Sequence, residues 1–133
     1  MREIKFRAWY EEEKEMQSVI DIYFNKNKGD IESFVTKGKK ATYHTDVHTH
    51  KLMQYTGSKD KNGVEIYEGD IVKIQVHDRL DWNSITGKVV FLEGGWTVED
   101  VGNFAIALWS EVNEVEVIGN IYENPELLEV QNG

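Results

Sequence analysis

Apolar and polar positions alternate with a period of two in Ile4–Trp9 and divide by face in Ile71–Val76, the signature of strands with one buried face. Ile4-Lys5-Phe6-Arg7-Ala8-Trp9 predicts a first half-buried strand, and the β-branched stretch Met16–Phe24 a second. Glu11–Glu15 between them reads as an exposed turn or short helical excursion, and Asn25–Asp30 as a loop. Ile31–Val35 suits a strand or one helical turn equally well. Thr36–His50 is polar and reads as the mobile or variable part of the molecule.

Leu52–Tyr55 predicts another strand, and Asp60-Lys61-Asn62-Gly63 a reversal, because Asn and Gly tolerate positive φ. Val64–Tyr67 follows. Glu68-Gly69-Asp70 then leads into Ile71–Val76, where Val72, Ile74 and Val76 share the face expected in the core. Asp78–Ser84 reads as an exposed loop and Thr86–Leu92 as a strand. Glu93-Gly94-Gly95 reads as a tight turn whose glycines supply positive φ, with Trp96–Val98 pairing back. Asn103–Trp109 is a further apolar segment, and Val115–Tyr122 the last strand, with Gly119 marking a bulge or close approach. Asn124–Leu128 closes the chain as a short helix, Asn124 capping it and Pro125 opening it. Short strands between glycine-centred turns, about ten residues apart, predict a mainly β fold built as a small barrel.

Composition narrows the chemistry more than it enlarges it. With 133 residues the chain suits one domain or two small subdomains sharing a core. The absence of cysteine excludes disulfides, thiolate zinc sites and cysteine nucleophiles, and fits a reducing cytoplasm. The start of the chain lacks the apolar run of a signal peptide, and no stretch approaches the roughly 18 apolar residues of a membrane span. A cytoplasmic protein without membrane attachment is expected. The formal charge of −9 lies entirely after Lys88, where nine acidic residues and no basic ones follow. A surface of that sign repels phosphate backbones and favours solubility or a basic partner.

Three phrases resemble one family. They are Lys5-Phe6-Arg7-Ala8-Trp9, the stretch from Met53 to Val72 with its Tyr55-Thr56-Gly57, Asp60–Gly63 and Ile66–Asp70 pieces, and Val117–Leu128. Together they resemble the YopX family of phage and prophage proteins over nearly the whole chain, with residues 25–51 and 78–110 matching poorly. The resemblance implies an SH3-like small barrel, an oligomeric tendency and a phage or prophage origin, and it implies no reaction. The expected layout is an N-terminal β subdomain or extension over 1–50 and the SH3-like barrel over 51–133, forming a single compact unit.

Among candidate site residues, His44, Asp46, His48 and His50 would all point one way from an extended strand, as ligands for zinc or another divalent ion do. A solvated polar loop is the competing reading, and no cofactor is assigned. Glu65, Glu68 and Asp70 lie close enough for paired-carboxylate chemistry. Asp70 after Gly69, however, suits a carboxylate that accepts backbone N–H bonds in a turn. Lys37, Lys39 and Lys40, with Lys26, Lys28, Phe34 and Tyr43, form a thin basic and aromatic patch that would serve a nucleic acid. The acidic balance of the chain argues against it. Trp9, Trp96 and Trp109 are expected in the core, and Trp82 at an exposed contact such as a subunit interface. No Ser-His-Asp order, phosphate loop or dinucleotide fingerprint occurs. The expectation is a non-enzymatic, homo-oligomeric interaction module, with a phage or host protein as further partner. A nucleic-acid-associated module is the alternative, and a metal-binding protein the third.

Overall fold

The computed structural model describes residues 3–77, 82–100, 105–108 and 113–129. They fall into two compact units, Met1–Tyr55 and Thr56–Gly133.

In the first unit β1 (Phe6–Tyr10) pairs antiparallel with β2 (Glu15–Phe24) on one side and with β5 (His50–Lys59) on the other. Beyond β2 come β3 (Ile31–Lys37) and β4 (Thr42–Thr45), giving the order β4-β3-β2-β1-β5. The polar stretch Thr36–His50 carries more regular structure than its composition suggests. Strand β3 runs through Lys37, the Gly38 N–H donates to the Ala41 carbonyl to close a turn, and β4 pairs back on β3. Ile31–Val35 is strand rather than helix because β2 pairs along one edge of it and β4 takes the other edge at Phe34 and Val35.

One connection shapes this sheet. Strands β4 and β5 are four places apart in the order, about 19 Å in a flat sheet. Residues 46–49 join them as a compact turn, in which the His50 N–H donates to the Asp46 carbonyl at 3.1 Å. A short turn cannot bridge a flat sheet, so the sheet rolls. Its inner face carries Tyr10, Gln17, Phe34, Thr36, Tyr43 and His50, with Phe34, Gln17, Thr36 and His50 buried.

In the second unit the part of β5 from Thr56 onward pairs with β6 (Glu65–Tyr67). A second antiparallel sheet has the order β10-β9-β8-β7-β11. It is built from β7 (Asp70–His77), β8 (Trp82–Leu92), β9 (Gly95–Asp100), β10 (Ala105–Ala107) and β11 (Asn113–Asn120). Its core is Ile66, Val72, Ile74, Val89, Trp96, Val98 and Leu108. The alternation in β7 places Val72 and Ile74 there as expected, and Ile71 at the strand entrance is buried as well. Trp9 and Trp96 are core residues, while Trp109 lies outside the described residues.

Several boundaries move. The expected loop 78–84 is strand from Trp82 on, with Asn83 and Ser84 paired to Val76 and Gln75; residues 78–81 lie outside the described residues. In the β8–β9 hairpin the positive φ values fall on Glu93 (48°) and Gly94 (81°), not on the two glycines. Both central residues of the turn are thus left-handed, which matches the twist of the strands it joins. Gly119 does mark a bulge, where the β11–β7 register shifts between Val117 and Gly119.

The terminal helix is a 3-10 turn, Pro125–Leu128, and Asn124 does not cap it. The Asn124 side chain points back instead, its Oδ1 accepting the Asn120 N–H at 3.3 Å. The fold is mainly β, in two antiparallel sheets whose strand orders are linear and unclosed among the described residues. No helix among the described residues is long and apolar enough to cross a membrane.

Candidate functional site: a buried histidine network

The histidine segment does not gather as the sequence suggests. His44 lies on β4 and His48 in the following turn, both exposed, while His50 is buried at 1 % exposure. Asp46 shapes the turn between them, its Oδ1 accepting the His48 N–H at 2.9 Å. The expectation of a common face assumed an extended strand, and residues 46–49 are a turn, which sends alternate side chains apart. Among the described residues no three His, Asp or Glu side chains stand close enough to hold a metal ion.

His50 instead completes a polar network on the inner face of the rolled sheet. Gln17 Oε1 accepts the Thr36 hydroxyl at 2.7 Å and meets His50 Nε2 at 2.8 Å. A carbonyl oxygen only accepts, so Nε2 carries the ring proton. In the neutral ring Nδ1 is then an acceptor, and the Thr45 hydroxyl donates to it at 2.9 Å. Thr45 in turn touches the Thr49 hydroxyl. The Gln17 amide donates to Glu15 Oε1 at 3.2 Å, which also accepts the Lys39 backbone N–H at 2.9 Å. Polar groups at full burial are thereby satisfied.

Aromatic rings close over the network. Tyr10 stacks on His50 with centroids 4.3 Å apart and planes within 2°, and Tyr43 lies 5.5 Å from the imidazole. Phe34 meets the imidazole edge-on. Burial holds His50 below the ordinary imidazole range, partly opposed by the charge of Asp46. The Tyr10 hydroxyl donates to Glu12 at 2.6 Å. Chiefly through that bond, with partial burial and the charges of Glu12 and Glu13, its pKa is pushed up to about 12. Tyr43 is raised by burial and by Glu13. Both phenols are neutral at physiological pH.

Of the acidic candidates, Asp70 is committed to backbone, while Glu65 faces the Tyr67 hydroxyl at 3.5 Å. Asp70 Oδ2 accepts the Tyr67 N–H at 2.7 Å across the turn at Gly69, whose φ is 85°. This is the turn role expected of it. Asp60, which drew no site assignment, does more. Its Oδ1 accepts from Asn62 and Val64 and its Oδ2 from Val117. Desolvation raises its pKa, but these three bonds together with the charge of Lys61 outweigh it and the carboxyl titrates below its usual range.

Lys37, Lys39 and Lys40 are exposed around the β3–β4 turn, with the Glu15 carboxylate bonded into that turn. Phe34 is in the core and Tyr43 on the histidine network, so neither joins the lysines in a stacking patch. Trp82 opens β8 opposite His77, and its side chain lies outside the described residues. Sequence reading missed Gln17 and Thr36. The available signal was a polar residue at an inward position of an otherwise apolar strand, beside Met16 and Val19.

The family model described as "YopX protein" matches residues 5–129. Two solved structures are similar over 97 % of this chain and 100 % of theirs, each at 28 % identity. One is protein yopX from Bacillus subtilis, with a TM-score of 0.65, and the other protein EF1440 from Enterococcus faecalis, with a TM-score of 0.60. No curated protein matches.

Proposed function

The chain belongs to the YopX family, and on that premise we propose that it is a phage or prophage accessory protein acting as a homo-oligomeric interaction module rather than an enzyme. The observation that carries this reading is the outer half of β2. Strand β1 pairs only with Glu15–Ser18, so Val19–Phe24 has β3 on one edge and no strand on the other among the described residues. That stretch exposes Ile20, Tyr23 and Phe24, each at half or more of its surface. Unpaired backbone beside exposed apolar side chains favours strand addition by another chain.

The chemistry-bearing side chains support the non-enzymatic part. Asp60 and Asp70 accept backbone N–H bonds, and His50 is bonded through both ring nitrogens to Gln17 and Thr45. The acidic final third suits a basic phage or host protein as further partner, in the cytoplasm of the host, and the second unit is read as the SH3-like barrel. Light scattering and sedimentation of the purified chain at tens of micromolar, a concentration that populates weak assemblies, are the test. A dimer or larger species is expected, and a monomer overturns the reading.

A further inference from the structure

We propose that His50 is a proton-operated latch in the first unit: on taking up a proton it loosens the β4–β5 crossover from the rolled sheet. The device is independent of the interaction surface on β2.

The latch follows from how the crossover is held. Residues 46–49 carry the chain over the roll, and His50 is their anchor, the first residue of β5 and buried among Gln17, Thr36, Phe34 and Tyr10. It reaches β2 through Nε2 and β4 through Nδ1, so one ring ties the crossover to two strands. The hydrogen bonds alone tolerate a proton. With Nδ1 protonated, the Thr45 hydroxyl turns to accept and passes its own hydrogen to Thr49, whose hydroxyl faces the Asp46 carbonyl. What the site lacks is compensation for a buried positive charge.

The groups around it decide that. From β1 comes Tyr10, neutral; from β2 Glu15, separated from the ring by the Gln17 amide; from β3 only Phe34 and Thr36; from β4 Tyr43, neutral. Glu12 and Glu13, in the turn between β1 and β2, act on the two phenols, and Asp46 contributes a favourable Coulomb interaction with His50 without a hydrogen bond to the ring. A charged imidazole is therefore better served in water, and leaving the roll carries the crossover with it. The depressed affinity of His50 for a proton agrees.

The sign follows from linkage. Below the ordinary imidazole value of 6.5 the open form binds a proton that the closed form does not, so opening is favoured as pH falls. One proton allows at most about a tenfold change in the opening constant per pH unit. Hydrogen exchange on the full chain, read at the Thr49 and His50 amides and referred to amides of β7, reports that constant in the wild type alone. Protection at the crossover is expected to fall relative to β7 from about pH 7 to about pH 5, the range in which an unperturbed imidazole charges. Histidine NMR should show the His50 imidazole titrating below the ordinary value of 6.5, and His50→Gln should abolish both that signal and the slope. Parallel protection in the two units, or a His50 midpoint at or above the ordinary 6.5, overturns the latch.

Discussion

The Asp60 carboxylate accepts the backbone N–H of Val117 at 2.9 Å, binding the start of a hairpin to a strand 57 positions later. Beside it the Lys61 N–H donates to the Val115 carbonyl at 3.0 Å, so the reversal at Asp60–Gly63 docks along β11. The phrase that marks the family is thus a piece of folding hardware. Replacing Asp60 by Ala leaves three backbone donors without their carboxylate, and a loss of about 3 kcal/mol is expected at the usual cost of unmet charge-assisted bonds. Urea unfolding of the variant against wild type measures it.

The same carboxylate makes an acid prediction with a definite sign. Its folded pKa lies below the ordinary 3.8, so its contribution is complete above that value and is lost as pH falls through the lower, folded one. The stability advantage of wild type over Asp60→Asn should therefore hold from neutral pH down to about 4 and shrink below it. Paired unfolding curves along an acid series show whether it does. An advantage that stays constant to the lowest pH assigns the effect to shape rather than charge.

Gly119 and Asn124 are matched by space. A β-carbon on Gly119 would lie 2.6 Å from Asn124 Oδ1, while that oxygen accepts the Asn120 N–H. Gly119→Ala should cost about 1–3 kcal/mol as an overpacked position. Shortening the obstacle with Asn124→Ala should recover part of it, and the double-mutant cycle reads the coupling directly. Additive losses would mean that the glycine is there for another reason.

The exposed half of β2 gives a prediction about assembly. Ile20→Ser with Phe24→Ser removes exposed apolar surface without touching the inner face that holds Gln17. The double variant should keep its unfolding midpoint and lose self-association in sedimentation. Unchanged association would move the interface to another edge.

Local chemistry made much of this legible beforehand. The turn role of Asp70, the bulge at Gly119 and the burial of Val72 and Ile74 all follow from one residue and its immediate neighbours. The errors arose where a neighbour in space overrode one in sequence. Asn124 sits where a cap belongs, but the backbone N–H of Asn120 takes its oxygen. Asp60 looks like any turn aspartate until β11 arrives beside it. Gln17 and Thr36 look like surface residues because nothing within several positions shows that their partner is His50, 33 and 14 residues away.

By itself the sequence determined the strand period, the turns, the absence of cysteine chemistry and the family, because backbone propensity, side-chain alternation and residue type act over a few positions. Only the tertiary structure decided what the polar residues do. The roll of the first sheet turned a row of histidines into one buried anchor and two exposed neighbours. Docking of β11 turned a loop aspartate into a clamp. Both outcomes depend on contacts that exist only once distant strands meet, and burial, which sets the hydrogen-bonding and charge of each group, is a property of that meeting.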